Sequence, residues 1–165
     1  MNLQDNKYNK FFLIREMLET GEIIKRLDIK KILSYEKEVK KERIFFTGEG
    51  SSRIFPAKKI MYEAQKKGYK EDLELIRKLK RQNHDNIISI VANAGTPVMN
   101  EAHLSYLLTC GKENAVPATK LVVEQALFYD LLFRKLNNTE LPDFNKLGDL
   151  IIQVLQMPIP EEITD

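Results

Sequence analysis

The sequence predicts an α/β protein in which a parallel sheet carries helices on both faces. Short, almost wholly apolar runs alternate with amphipathic stretches, and a glycine-rich turn follows the first apolar run directly. The runs expected to form buried strands are residues 43–47, 86–92 and 103–110. We expect one domain over residues 1–165, divided into N-terminal helices, an α/β core and a C-terminal helix with its tail at residues 9–42, 43–136 and 137–165.

Apolar periodicity and capping residues predict the helices. Residues 9–42 read as helical, with Gly21 and Asp28 as plausible interruptions and Asp28 as an N-cap. A turn at residues 93–95 precedes a short helix with Thr96 at its N-cap and Pro97 at its first position. The longer helices are predicted at residues 52–67, 70–82, 117–136 and 144–155. The third of these is apolar nearly all round, so it is either a core helix or half of a homodimer interface.

Composition and charge exclude several classes of protein. The 26 basic and 24 acidic residues give a net charge of only +2, so nucleic acid is not an expected partner. No apolar segment approaches the ~20 residues of a membrane span, and residues 1–12 lack the features of a signal peptide. We therefore expect a cytoplasmic protein without a membrane partner.

The cysteine and histidine content predicts no metal site and no cofactor. The single cysteine, Cys110, cannot form an internal disulfide and suits a reducing compartment. Because it ends a predicted strand, it is expected to be buried and inert. The two histidines lie far apart in sequence and offer no ligand spacing for a metal ion.

The loop at residues 44–52, IFFTGEGSS, predicts a phosphorylated small-molecule ligand. It joins a strand to a helix, where backbone N–H groups and hydroxyls meet an anion at a helix N-terminus. No Gly-Lys-Ser/Thr follows, so the loop is not a P-loop, and Arg53 stands where the dinucleotide fingerprint has its third glycine. The alternative interpretation is an ordinary tight turn in which Ser51 is only an N-cap.

Three segments in order resemble the sugar isomerase (SIS) domain family. They are GEGSSRIFPAK, NIISIVANAGTPVMNEAHLSYLLTCG and GKENAVPATKLVVEQALFYDLL, and the resemblance covers residues 15–162. It implies a flavodoxin-like α/β domain that binds a phosphorylated sugar. The family includes the isomerase half of glucosamine-6-phosphate synthase, arabinose-phosphate isomerases and the effector domains of some transcriptional repressors.

The resemblance also implies two arms of a phosphosugar site. One arm is the family's first phosphate loop, and the other is the start of its last ligand-side helix, where a backbone contact to the sugar is implied from Val116 or Ala118. Lys120 is poorly placed for its helix dipole unless it faces an anion, and the alternative is a surface charge. The ligand-binding positions that result are Gly48, Gly50, Ser51, Ser52, Val116, Ala118, Thr119 and Lys120.

One βα unit of the family pattern is missing. The family's first helix is followed by a strand and a Ser-x-Ser-Gly-x-Thr loop, whereas residues 69–71 lead directly into another helix. About 30 residues, the size of a βαβ unit, are absent. Two or three residues reach only ~7–10 Å, less than the ~17–20 Å of a strand. One possibility is that the helices at 52–67 and 70–82 form a hairpin or fuse, which permits the strand at 86–92 to run antiparallel to the first strand. The other is that the first of these helices is shortened or displaced.

Catalytic residues do not form a clear constellation in this sequence. Isomerisation through an enediol needs a base near a C–H group and an acid for ring opening. The candidates are Glu49, Glu63, Glu113 and His103. Each also has a structural interpretation. Glu49 could be a turn residue, Glu63 a surface charge, Glu113 a helix cap or subunit contact, and His103 a structural histidine.

Three functions follow from these observations. The first is a phosphosugar-binding protein of the sugar isomerase type in which catalysis is weak or lost. The second is an active aldose–ketose isomerase whose site is completed by a second subunit. The third is a dimeric structural protein without a ligand, held together by the apolar helix at residues 121–133.

Overall fold

The protein has a mixed α/β fold. The computed structural model describes residues 3, 5–39, 87–96, 99–100, 102–115 and 117–158. The four helices with defined bounds are α1 (Phe12–Lys25), α2 (Ile29–Ser34), α3 (Lys120–Leu136) and α4 (Phe144–Gln156). Short 3-10 helices lie at Asn6–Tyr8 and Tyr35–Glu38, and the strands are β1 (Ile88–Val91) and β2 (Leu104–Leu107).

The two strands form a parallel pair, as the sequence predicts. Ile88 lies opposite Leu104, and Val91 lies opposite Leu107. Both strands are shorter than the apolar runs that predict them. The predicted strand at 43–47, the helices at 52–67 and 70–82, and the missing βα unit lie outside the described residues.

The connection from β1 to β2 confirms the predicted turn and cap. Gly95 has a φ of +74°, a backbone conformation that glycine adopts without strain. The Thr96 hydroxyl then accepts a hydrogen bond from the Met99 N–H at 3.3 Å, and the Thr96 carbonyl accepts one from the Asn100 N–H at 3.0 Å. Thr96 is therefore the N-cap of the helix that contains residues 99–100. Pro97 lies outside the described residues.

Helix α3 lies in the core, which confirms the first of its two predicted roles. Phe128 is 1% exposed, and its ring packs against Tyr35 and Tyr106 at centroid distances of 5.4 and 4.7 Å. Leu131 is fully buried in the same cluster, which also includes Ile32 from α2. The helix begins at Lys120, three residues after the predicted start, because residues 117–119 form the end of the preceding loop.

Helices α1 and α4 pack antiparallel through a close approach of two glycines. A Cβ at Gly148 would lie 2.7 Å from the Gly21 carbonyl oxygen, and a Cβ at Gly21 would overlap the Ile152 side chain. The prediction that Gly21 interrupts the first helix is therefore wrong. Gly21 is kept inside α1 because its missing side chain gives α4 room to approach.

The cap at Asp28 is confirmed. Its carboxylate accepts the Lys31 N–H at 3.0 Å and begins α2. The predicted helical region at 9–42 is thus divided at this position, and its described part ends in a 3-10 turn at Glu38. In the described ranges, no helix has both the length and the apolar character needed to cross a lipid bilayer.

Candidate functional site

The loop between β2 and α3 lies at the edge of the sheet where ligands of parallel α/β proteins bind. It follows the carboxyl end of β2 at residues 108–119 and leads into the N-terminus of α3. The turn at residues 92–95 leaves the carboxyl end of β1 at the same edge. We call the described residues 108–115 and 117–119 the β2–α3 loop.

Glu124 joins the start of this loop to α3. Its side chain is completely buried and its carboxylate accepts the Thr109 N–H at 2.8 Å and the Cys110 N–H at 2.7 Å. It also accepts the Thr109 hydroxyl at 2.8 Å and the Tyr106 hydroxyl at 2.9 Å. These four donors compensate for the burial of the carboxylate and fix the backbone where the chain leaves β2.

Glu16 holds the middle of the loop from α1. Its carboxylate accepts the Asn114 N–H at 2.5 Å and the Ala115 N–H at 3.1 Å, and the residue is only 3% exposed. Burial alone would raise the pKa of Glu16, but these backbone donors and the nearby Lys120 ammonium outweigh it and hold the pKa below its usual range. The loop is therefore bound to α1 by an ionised, buried carboxylate.

Glu113 caps α3 from within the loop. Its Oε1 atom accepts the Thr119 N–H at 2.5 Å, the Thr119 hydroxyl at 2.6 Å and the Lys120 N–H at 3.0 Å. Among the described residues, its buried Oε2 atom has no hydrogen-bond partner. The cap is one of the two structural roles that the sequence left open for Glu113. A carboxylate of the protein itself thus occupies the N-terminus of α3.

Lys120 faces an anion, but that anion belongs to the protein. The residue is 5% exposed, and its ammonium lies 2.8 Å from the Glu19 carboxylate on α1. Burial lowers the pKa of Lys120, whereas the hydrogen bond and charge of Glu19 raise it, and the net shift is upward. Lys120 is not a surface charge, and its position at the start of the helix is explained by Glu19.

The chemistry available in this loop is dominated by carboxylates that accept hydrogen bonds. Burial, with the neighbouring Glu124 carboxylate, raises the pKa of the Cys110 thiol to about 12, so the thiolate needed for nucleophilic attack is suppressed. The prediction that Cys110 is buried is confirmed. Within the described part of the chain, no group of acidic, histidine and cysteine side chains could hold a metal ion.

The structure brings together only some of the predicted site residues. Thr119 and Lys120 meet Glu113 at the start of α3, and Ala118 beside them is partly buried. His103 directly precedes β2, at the end of the strand opposite to the loop, and its Nδ1 atom accepts the Ile87 N–H at 3.2 Å. The remaining predicted positions lie outside the described residues and are Gly48, Glu49, Gly50, Ser51, Ser52, Glu63 and Val116.

Sequence reasoning missed the carboxylates Glu16, Glu19 and Glu124. A signal was present for Glu124, because a single acidic residue in the apolar stretch LVVEQALF must be buried with hydrogen-bond donors. Glu16 and Glu19 carry no such signal, since their partners lie about a hundred residues away in the loop and in α3.

A separate cavity of about 200 Å³ lies between α1 and α4. It is lined by Asn9, Leu18, Ile152, Leu155 and Gln156, and none of these residues belongs to the β2–α3 loop. The loop and this cavity are therefore different features of the molecule.

No family model, no curated protein and no solved structure matches this chain.

Proposed function

We propose that this chain binds a phosphorylated sugar at the carboxyl edge of its parallel strands. The site would have the flavodoxin-like arrangement that the resemblance to the SIS domain family implies, with the β2–α3 loop as one wall and residues 48–52 as the other. The single observation that carries the proposal is the way three carboxylates from different segments, Glu16, Glu113 and Glu124, fix the backbone of a loop at this edge.

A loop fixed in this way suits ligand binding. A flexible loop loses conformational entropy when it closes on a ligand, and a loop that is already ordered does not. The hydrogen bonds of Glu124, Glu16 and Glu113 hold the beginning, middle and end of the β2–α3 loop in turn. The rigid backbone would then present its exposed N–H and carbonyl groups, including those near Ala118, to the sugar.

The phosphate would be held by the first loop rather than by the start of α3. The Thr119 hydroxyl and the Lys120 ammonium already bond to Glu113 and Glu19, so they would position the loop instead of contacting the ligand. The phosphate contacts therefore fall to Gly48, Gly50, Ser51 and Ser52. Lys112 in the same loop is exposed and would be available as a cation for the ligand.

The positions of the candidate acid and base groups favour sugar-phosphate binding without isomerisation. Glu113 is engaged as the cap of α3, and His103 lies at the other end of β2. Isomerisation would therefore need groups from elsewhere, as in the alternative with a second subunit. Residues 121–133 are buried or partly buried within the chain, so α3 would offer a second copy only a limited apolar surface.

The proposal is tested by thermal unfolding in the presence of hexose and pentose phosphates. A ligand at 100 times its Kd should add about 2.7 kcal/mol to the free energy of unfolding. The unphosphorylated sugars should give no shift, and a Ser51→Ala, Ser52→Ala double variant should abolish it. Ser34→Ala is the matched control, because this exposed hydroxyl on α2 bonds only to the Lys31 carbonyl in the described structure.

The possible outcomes separate the three functions. No stabilisation by any sugar phosphate would contradict both phosphosugar binding and isomerase activity, and would favour the structural alternative. If binding is observed, an aldose–ketose interconversion assay on the same preparation decides whether catalysis survives.

A further inference from the structure

Aromatic rings and cations are concentrated at the N-terminal end of the described structure. Phe11 is 49% exposed and Phe12 is 48% exposed, at the position where α1 begins. Their neighbours in sequence include exposed lysine and arginine side chains. We call these residues the aromatic–basic surface, and they are Lys7, Tyr8, Lys10, Phe11, Phe12 and Arg15.

Each cation of this surface lies over an aromatic ring. The Lys10 ammonium is 5.1 Å from the centroid of Phe11, and the Arg15 guanidinium carbon is 4.6 Å from that of Phe12. The Lys7 ammonium is 5.0 Å from the centroid of Tyr8. Positive charge and exposed apolar area therefore occupy the same patch of the molecule.

The charge of this patch is predominantly positive. Asp5 carries the one carboxylate among residues 5–15, and the buried Glu16 follows directly. The Asp5 carboxylate lies 3.8 Å from the Lys7 ammonium, and both side chains are largely exposed. Glu16 is directed to the backbone of the β2–α3 loop and does not face this surface. A partner that fits here must carry negative charge and accept apolar side chains.

Aliphatic side chains lie at the same end of the helix pair. The C-terminal Lys25 of α1 pairs with Asp149 near the start of α4, whereas Asn9 before α1 lines a cavity with Gln156 at the end of α4. This antiparallel arrangement brings the C-terminus of α4 to the N-terminus of α1. Met157, which is 59% exposed, and Leu155, which lines the cavity, therefore lie at this end of the helix pair.

We propose that the aromatic–basic surface docks this protein on an anionic lipid membrane. Phe11 and Phe12 would enter the boundary between head groups and acyl chains, while the cations contact lipid phosphates. A single-stranded nucleic acid fits less well, because the rings are already covered on one face by cations and the aliphatic side chains cannot stack on bases. The sequence led us to expect no membrane partner because no apolar segment is long enough to span a bilayer, and that criterion does not detect binding at the membrane surface.

Vesicle binding tests the proposal directly. The full chain should co-sediment with vesicles of phosphatidylserine and phosphatidylcholine but not with phosphatidylcholine alone, and binding should weaken as salt is raised. Lys10→Gln should weaken binding about fivefold, as expected for one cation near an anionic surface. Lys30→Gln changes a lysine that is also exposed but lies on α2, and this matched control should leave binding unchanged.

A tryptophan reporter places the contact on the surface. The chain has no tryptophan, so Phe12→Trp introduces a single probe that should shift to the blue and be quenched by brominated lipids on vesicle binding. Leu150→Trp is the control, because Leu150 is also 48% exposed but lies toward the other end of the helix pair. Circular dichroism of each variant confirms folding.

Several results would overturn the proposal. They are equal binding to neutral and anionic vesicles, no binding to either, quenching of the Leu150→Trp probe but not of the Phe12→Trp probe, or binding to single-stranded oligonucleotides without binding to vesicles. None of these outcomes bears on sugar-phosphate binding at the β2–α3 loop.

Discussion

Lys120 places its ammonium 2.8 Å from the Glu19 carboxylate and joins the first turn of α3 to α1. The two partners differ in environment, since the Lys120 side chain is 7% exposed and that of Glu19 is 54% exposed. Removing Glu19 and removing Lys120 should therefore change the free energy of unfolding by different amounts. A carboxylate left alone at Glu19 is hydrated, whereas an ammonium left alone at Lys120 stays buried.

Glu19→Gln should destabilise the protein more than Lys120→Met does. We expect a loss of about 3 kcal/mol for Glu19→Gln, because it leaves a buried ammonium without its ion pair. Lys120→Met should cost about 1 kcal/mol or less, because methionine fills similar volume and Glu19 becomes hydrated. Urea unfolding at pH 7 measures both values. Equal losses would contradict the asymmetric burial of the pair.

The ion pair of Lys120 and Glu19 predicts that the stability of the protein falls at alkaline pH. The folded-state pKa of Lys120 is raised above its usual 10.5 by Glu19, against the effect of burial. Stabilisation by the pair is therefore fully present below pH 10.5 and is lost as the pH rises through the folded-state pKa. The difference in unfolding free energy between the wild type and Lys120→Met should shrink above pH 10.5.

Glu16 makes stability depend on acid pH. Burial opposes its ionisation, but the Asn114 and Ala115 N–H groups outweigh burial, so its folded-state pKa lies below 4.5. Its contribution is present above pH 4.5 and is lost as the pH falls through the folded-state pKa. Glu16→Gln should cost about 1–3 kcal/mol at pH 7, because a partly buried N–H of the β2–α3 loop loses its charged acceptor.

The control for Glu16→Gln is Glu38→Gln, which removes an exposed carboxylate. Urea unfolding from pH 7 down to pH 3 should show the gap between Glu16→Gln and the wild type closing below pH 4.5, while Glu38→Gln follows the wild type throughout. A gap that stays constant over this range would show that the Glu16 carboxylate contributes through packing and not through its charge.

Local features of this fold could be predicted from the sequence, whereas long-range ones could not. Asp28 and Thr96 were identified as caps because a cap and its N–H donor lie three residues apart. The parallel pair of β1 and β2 followed from two apolar runs joined by a helix. Gly21 was misread because its role depends on α4, which lies more than a hundred residues along the chain.

The candidate site was predictable to the same extent. Lys120 was left open between a ligand contact and a surface charge, and neither interpretation named Glu19, because nothing local marks the approach of α1 to α3. The cap of α3 by Glu113 was one of the roles that the sequence left open, because Glu113 lies only six residues before Thr119. The hydrogen bonds of Glu16 to the loop span about a hundred residues and are a tertiary property. The sequence therefore predicted a loop between the strand at 103–110 and the helix from 117, and the structure extends this loop in both directions because β2 ends at Leu107 and α3 begins at Lys120.

Glu113→Ala should weaken the start of α3 and the end of the β2–α3 loop. It removes an anion at a helix N-terminus and the acceptor for the Thr119 and Lys120 N–H groups, at a cost of about 1–2 kcal/mol. Asp143→Ala is the matched control, since Asp143 caps α4 through the Asn145 and Lys146 N–H groups. Both variants should lose similar stability. Only Glu113→Ala should speed amide hydrogen exchange at Thr119, and similar exchange in both would contradict the assignment.

Gly148→Ala should destabilise the protein although alanine favours helices. In an exposed helix, this change would stabilise by about 1 kcal/mol. In α4, the new Cβ would lie 2.7 Å from the Gly21 carbonyl oxygen and 2.6 Å from the Lys25 Cγ atom, and the Gly21 oxygen belongs to backbone that cannot turn aside. Overpacking of this kind typically costs about 1–3 kcal/mol, so the sign of the effect should reverse.

The urea concentration at the midpoint of unfolding shows whether Gly148→Ala stabilises or destabilises the protein. Gln153→Ala on the exposed face of α4 provides the control, because it changes helix propensity without meeting α1 and should leave the midpoint nearly unchanged. If Gly148→Ala raised the midpoint, helix propensity would outweigh packing, and α4 would have to shift away from α1 at little energetic cost. A lowered midpoint for Gly148→Ala with an unchanged one for Gln153→Ala would establish that the contact of the two glycines fixes the distance between α1 and α4.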